Sequence, residues 1–174
     1  MASELYVETL KGLTSGANAN KVIVPAGQTL YAPGHVLQVI QDVATAQVTI
    51  SAAAGADVGL SVTITPSSSS SKFYISTDIN ARVNYSVGMG IEIKRSSDGG
   101  STFSNVLQST QDYDLYNDIT TSNLRLRGSW SYLDSPATTN QLIYKIRARS
   151  YATGNTLYVN NSGQSMLTVM EIAG

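Results

Sequence analysis

The sequence predicts an all-β fold, an antiparallel jelly-roll sandwich behind a short extended N-terminal anchor. Three observations predict it. Apolar and polar residues alternate with a period of two in run after run, and no stretch keeps a 3.6-residue period over three turns. Clusters of Pro, Gly, Asn, Asp and Ser separate these runs at short, even spacing. The chain of 174 residues is long enough for one domain with a sizeable core.

Taken in order, the first expected strands lie near 4–10, 21–25 and 29–32, around a flexible stretch from Thr14 to Asn20. Residues 1–34 are too short to enclose a core. They are expected to act as an anchor or stem that winds with sister chains or clamps to another protein, the alternative being a mobile tail. Residues 35–174 form the expected head domain, with strands near 35–43, 46–51, 59–65, 72–83, 88–95, 103–109, 123–133, 141–150, 156–160 and 165–173. The breaks fall at Pro33-Gly34, Gly55, Pro66 and its five following serines, Asp98-Gly-Gly100, Asp134-Ser-Pro136, Gly154-Asn155 and Asn160 to Gly163. The serine run 67–71 reads as a solvated loop.

The final strand is apolar on both faces. Met166, Met170 and Ile172 fall on one side, Leu167 and Val169 on the other. A strand with one solvated face should alternate instead, so the second face calls for a cover, and another copy of the same chain is the expected one. Composition agrees: charged residues are 13% of the chain, about half the usual share. The net charge of −1 and pI near 5.7 give no field that favours nucleic acid or an anionic membrane. The absence of cysteine excludes disulfide and thiolate chemistry. No apolar run approaches the length of a membrane-spanning helix and no signal-peptide pattern opens the chain, so a soluble protein made in the cytosol is expected.

Catalytic constellations are missing. His35 is the single histidine, placed after Pro33-Gly34 with no cysteine partners, and makes neither a zinc site nor a triad. Glycine-rich phosphate loops are absent. The expectation is a non-enzyme with no cofactor and no bound metal. The segment Asp112-Tyr-Asp-Leu-Tyr-Asn-Asp118 has oxygen ligands for calcium at close spacing but lacks the glycine and closing glutamate of an EF-hand. It reads as a solvated acidic loop, with a sugar platform of tyrosines beside carboxylates as the other reading.

Ser96-Ser-Asp-Gly-Gly-Ser-Thr-Phe103 is similar to the Asp-box of sialidases and other sugar-handling β-proteins. Asp98 is placed to bond backbone amides in the turn, Gly100 to supply a positive φ, and Thr102 and Phe103 to re-enter the sheet, with Ser96 opening the motif. A single copy points to a structural hairpin, a glycan contact being the alternative. Arg125 and Arg127 alternate on one strand; Lys145, Arg147 and Arg149 alternate on the next. Were these strands paired, five of the head's nine Lys and Arg residues would share a face. They would then be solvated, or meet Asp112, Asp114 and Asp118 within or between subunits, or contact an anionic glycan.

Three further segments carry a family resemblance. Ser3-Glu-Leu-Tyr-Val-Glu-Thr-Leu10, Val22-Ile-Val-Pro-Ala-Gly27 and Tyr31-Ala-Pro-Gly-His-Val-Leu-Gln-Val39 together resemble the opening of small virion structural proteins of marine tailed bacteriophages. Val62 to Lys72, the loop and strand Leu133 to Tyr144, and the ending Leu167 to Ile172 look like the same group. The resemblance implies a tail-fibre-like or decoration protein at the virion surface, whose head is similar to trimeric jelly rolls of the tumour-necrosis-factor and C1q type. With it a homotrimer is expected, for which the doubly apolar final strand supplies the interface, Met166, Leu167, Val169, Met170 and Ile172; other virion proteins are expected to be held through residues 1–34, and a host-surface glycan is a further candidate partner.

Overall fold

The computed structural model describes residues 14–16, 24, 26, 32–51, 53–83, 87–109, 113–118, 124–151 and 156–174. The chain divides into two compact units, 1–31 and 32–174. The strands expected near 4–10, 21–25 and 29–32 lie outside the described residues except at Val24 and Ala32.

The second unit is built from eleven strands and, among the described residues, no helix. They are β1 (Val36–Ala44), β2 (Val48–Ile50), β3 (Ala56–Ile64), β4 (Lys72–Val83), β5 (Val87–Ser96), β6 (Ser104–Gln108), β7 (Leu115–Asn117), β8 (Leu124–Asp134), β9 (Leu142–Ser150), β10 (Leu157–Val159) and β11 (Ser165–Ile172). All pairings are antiparallel.

Several strands run in tandem. β8 lines β4 from Phe73 to Val83, so β11 and β10, which pair with the two halves of β4, must share its opposite edge. β1 and β2 in turn line β11 and β10. In the other sheet β9 takes one edge of β5, while β6 and β7 divide the other. Counting tandem strands as one column gives eight columns. In chain order, the first sheet then reads 1-8-3-6 and the second 2-7-4-5. This is the jelly roll: an antiparallel sandwich in which successive columns cross between the sheets.

Period-two patterning explains the core. Along β4, Phe73, Ile75, Ile79 and Ala81 turn inward and are at most 1% exposed, against Ile91 and Ile93 of β5 and Tyr144 and Ile146 of β9. Leu167 and Val169 of β11 join them at zero exposure. In β5 the outward residues Gly88, Gly90 and Glu92 are buried as well, so this central strand is covered on both faces.

Polar groups close the sandwich. Asp134, ending β8, accepts from Arg95 Nη1 at 2.7 Å on both oxygens and from the Tyr144 hydroxyl at 2.7 Å. It therefore joins the two sheets. Glu171 of β11 is fully buried and accepts from Ser67 N at 2.6 Å, Ser67 Oγ at 3.1 Å and Gln38 Nε2 at 2.5 Å. The serine run is exposed at Ser67, Ser69 and Ser70, as a solvated loop should be, yet it also serves this carboxylate. Its first residue caps a buried carboxylate, and Ser71 is 2% exposed. Exposed His35 sits at the turn before β1, its amide bonded to Ala32 O and its carbonyl to Ala173 N.

Two expectations need correction. Residues 115–117 of the acidic loop form β7, because Leu115 packs against the core and Tyr116 pairs with Gly88. Strands β8 and β9 do not pair; the connection Ser135–Gln141 carries the chain from one sheet to the other. Alternation fixes which face of a strand turns inward, and two inward faces meet equally well across a sandwich as side by side.

Candidate assembly surface

The outer face of the first sheet carries an apolar row. Val39 of β1 stands opposite Met170 of β11, Met170 opposite Tyr74 of β4, and Tyr74 opposite Leu133 of β8. Val39 is 54% exposed, Tyr74 37% and Leu133 49%. Val36 stands opposite Ile172 in the adjoining row, and Val43 opposite Met166 further along. Between them lies a polar row, Gln41, Thr168, Ser76 and Ser131, in which Gln41 Nε2 donates to Thr168 Oγ1 at 2.9 Å.

Large apolar residues scattered singly over a surface need no explanation; a contiguous patch rimmed by polar groups marks a contact site. Five of the exposed large apolar side chains, Val36, Val39, Val43, Tyr74 and Leu133, lie on this one face. The sequence singled out Met166, Met170 and Ile172, and all three are here, half-buried. Leu167 and Val169 are not: they point the other way into the chain's own core, so a cover from another chain has nothing to add to them. Val39, Tyr74 and Leu133 went unread because their exposure depends on which strands stand beside them.

Charge occupies the far end of the same face. Arg125 stands opposite Arg82, and Arg127 opposite Asn80. Arg127 Nε pairs with Asp78 Oδ1 at 2.5 Å, and the Arg82 guanidinium lies 4.3 Å above the Tyr158 ring. Lys145, Arg147 and Arg149 are on the outer face of the second sheet, so the five cations are split between two sheets. Those on β9 meet anions of their own chain. Arg147 lies between Asp57 at 3.2 Å and Glu92 at 3.1 Å, Lys145 reaches Asp57 at 3.0 Å, and Arg149 approaches Glu92 at 3.6 Å.

In the acidic segment, Asp114 accepts from Trp130 Nε1 at 2.8 Å and from Ser109 Oγ; Asp118 is exposed, and Asp112 lies outside the described residues. In the Asp-box-like hairpin, Asp98 accepts from Ser96 Oγ at 2.6 Å, Thr102 Oγ1 at 2.6 Å and Thr102 N at 3.0 Å. Those bonds, Ser96 first and then Thr102, hold its carboxyl far below the ordinary range. Gly99 and Gly100 adopt φ of +74° and +91° to close the turn, and Phe103 lies 3.9 Å beneath Lys145 Nζ. Among the described residues no three His, Cys, Asp or Glu side chains converge in a metal-binding group.

No family model matches the chain, and no curated protein matches it. Solved structures do. VP2 in a subviral particle of infectious bursal disease virus aligns at a TM-score of 0.51 and 11% identity, over 91% of this chain and 38% of that one. The Gx strain of the same virus aligns at 0.47 and 12%, over 88% and 38%. Eiger TNF from S. frugiperda aligns at 0.42 and 12%, over 82% and 94%. This chain thus spans less than half the length of the viral chains it matches. At such identities what it shares with them is the fold.

Proposed function

We propose that this chain is a non-enzymatic structural protein of a tailed-bacteriophage virion. In this reading it assembles as a homotrimer through the outer face of the first sheet and is displayed at the particle surface as a short tail fibre or receptor-binding knob. The observation that carries the reading is the apolar row Val39, Met170, Tyr74 and Leu133, four residues in register on a face that the other described residues of the second unit leave open. Residues 1–34 would attach the head to other virion proteins. Arg125 and Arg127 at the edge of the face, set against Asp112, Asp114 or Asp118 of a neighbour, would orient adjacent heads; Lys145, Arg147 and Arg149, already engaged in their own chain, are the weaker candidates for such contacts.

A capsid-decorating role is the second reading. It is favoured by the jelly roll that the chain shares with VP2 of a subviral particle. A free-standing carbohydrate-binding module stands third. The deciding experiment locates the chain in a density map of the intact particle, alongside light scattering of the purified protein. A trimer mass and density at the tail tip support the knob, and density on the capsid lattice supports decoration. A monomer mass at micromolar concentration overturns the assembly reading.

A further inference from the structure

On the outer face of the second sheet, three tyrosines converge on one glycine. Tyr116 of β7 stands opposite Gly88 of β5. Tyr151, just past β9, donates its amide to Gly88 O at 3.0 Å. Tyr113 lies over the same residue: a Cβ on Gly88 would come within 2.5 Å of Tyr113 Cβ and 3.0 Å of Tyr151 Cβ. The ring centroids lie 4.9 Å apart for Tyr113 and Tyr116, 4.8 Å for Tyr113 and Tyr151, and 5.4 Å for Tyr116 and Tyr151. The rings are therefore seated on bare backbone, with Tyr151 braced edge to face against both others and Tyr113 and Tyr116 tilted 35° to each other, which fixes their orientation before any ligand arrives. Tyr116 and Tyr151 are nevertheless 41% exposed each.

Next to them in the chain, the Asp114 amide is bonded to Met89 O at 2.9 Å, while its carboxylate is held by Trp130 Nε1 of the first sheet and by Ser109 Oγ, so the rings alone form the open surface. Two open tyrosine rings are far too small an area for a stable protein contact, which needs about 800 Å² per partner. They match the face of one or two sugar rings. Apolar C–H faces stack on the aromatic surface, while the phenol groups accept from and donate to hydroxyls. An anionic sugar would have to compete with Glu92 and Asp57 for the cations nearby on β9.

We infer that Tyr113, Tyr116 and Tyr151 form a binding platform for a neutral carbohydrate. The platform lies on the opposite sheet from the apolar row. It rests on the appendage reading only in supposing that this face looks outward from the particle. The test uses the full chain and a panel of neutral and acidic hexose oligosaccharides, read by saturation-transfer NMR and by titration. Neutral members are expected to bind, and Tyr116→Ala and Tyr151→Ala to weaken them at least about tenfold, while Tyr116→Phe retains binding.

Circular dichroism of each variant separates a lost site from a lost fold, and Leu133→Asp reports on assembly alone. It should bind sugar as the parent does, whatever its mass. Binding by acidic members only, binding untouched in both alanine variants, or no binding across the panel overturns the inference. None of these outcomes bears on whether the protein is a trimer, which the light-scattering mass decides separately.

Discussion

Asp134 of the first sheet and Arg95 of the second meet with both carboxylate oxygens 2.7 Å from one guanidinium nitrogen, and the buried Tyr144 hydroxyl completes the bond set. The Asp134 side chain is 8% exposed and that of Arg95 23%. The pair is thus a polar bolt through the end of an otherwise apolar sandwich.

Removing one partner of such a pair leaves the other charged and half-buried. Asp134→Ala should cost about 3–5 kcal/mol in urea unfolding. Tyr144→Phe should cost only about 1 kcal/mol, because it deletes a single hydrogen bond and keeps the ring against Phe73. The Tyr144 hydroxyl, pushed far up by burial and then by its bond to Asp134, should not ionise before the protein unfolds in base.

Glu171 should make stability depend on acid. Burial acts to raise its pKa, but the neighbouring Ser71 hydroxyl and the hydrogen bonds from Gln38 and Ser67 outweigh burial and hold it below the ordinary carboxylate value. A group with a depressed folded pKa contributes stability that is whole above its unfolded value and is lost as pH falls through the folded one. Glu171→Gln should therefore be less stable than the parent at pH 7. The gap should narrow as pH drops below about 4, and denaturant midpoints across pH 2 to 7 measure it.

On the apolar row the two faces of β11 should respond differently to the same change. Met170→Asp and Leu133→Asp should yield folded protein of lower mass by light scattering, with unchanged circular dichroism. Val169→Asp should fail to fold, since an unpaired charge in the core costs several kcal/mol. A folded Val169→Asp variant, or trimers from both surface variants, would show that the faces are assigned wrongly.

Charge reversal tests the proposed orientation of neighbouring heads. Asp118→Lys should weaken association, and Arg125→Glu in the same chain should partly restore it. The effect should be small, since surface pairs contribute about 0–1 kcal/mol each. If the double variant associates no better than Asp118→Lys alone, these residues do not meet across a subunit boundary.

What the sequence revealed follows from which interactions are local. The long alternation Phe73, Ile75, Thr77, Ile79, Ala81 and Val83 marks the inward face of β4 without reference to any other strand, and β1, β8, β9 and β11 were legible in the same way. Strand β7 was hidden because its three residues sit among carboxylates and its pattern is too short to recur. Partner choice was also hidden: Arg125 and Lys145 look like neighbours along the chain yet belong to different sheets. The apolar row joins residues on four strands, and the glycan platform joins β7, β5 and the end of β9 around Gly88, so neither has a signature in any single segment. Glu171 drew no notice because a carboxylate is buried only where several donors reach it, and its donors Gln38 and Ser67 lie 133 and 104 residues away along the chain.

The position of β11 has a consequence for how the protein is made. It lies between β1 and β4, and follows every other described strand in the chain. A ribosome that has delivered β1 through β10 has delivered two halves of a sheet with a vacant lane between them. Until β11 emerges, β1 has no long partner and one edge of β4 stays open over Lys72–Asp78. Unpaired edges are templates for mispairing. A nascent or truncated chain that stops before β11 should therefore mispair and aggregate more readily than one that includes it, and the apolar row is not assembled until β11 closes the sheet.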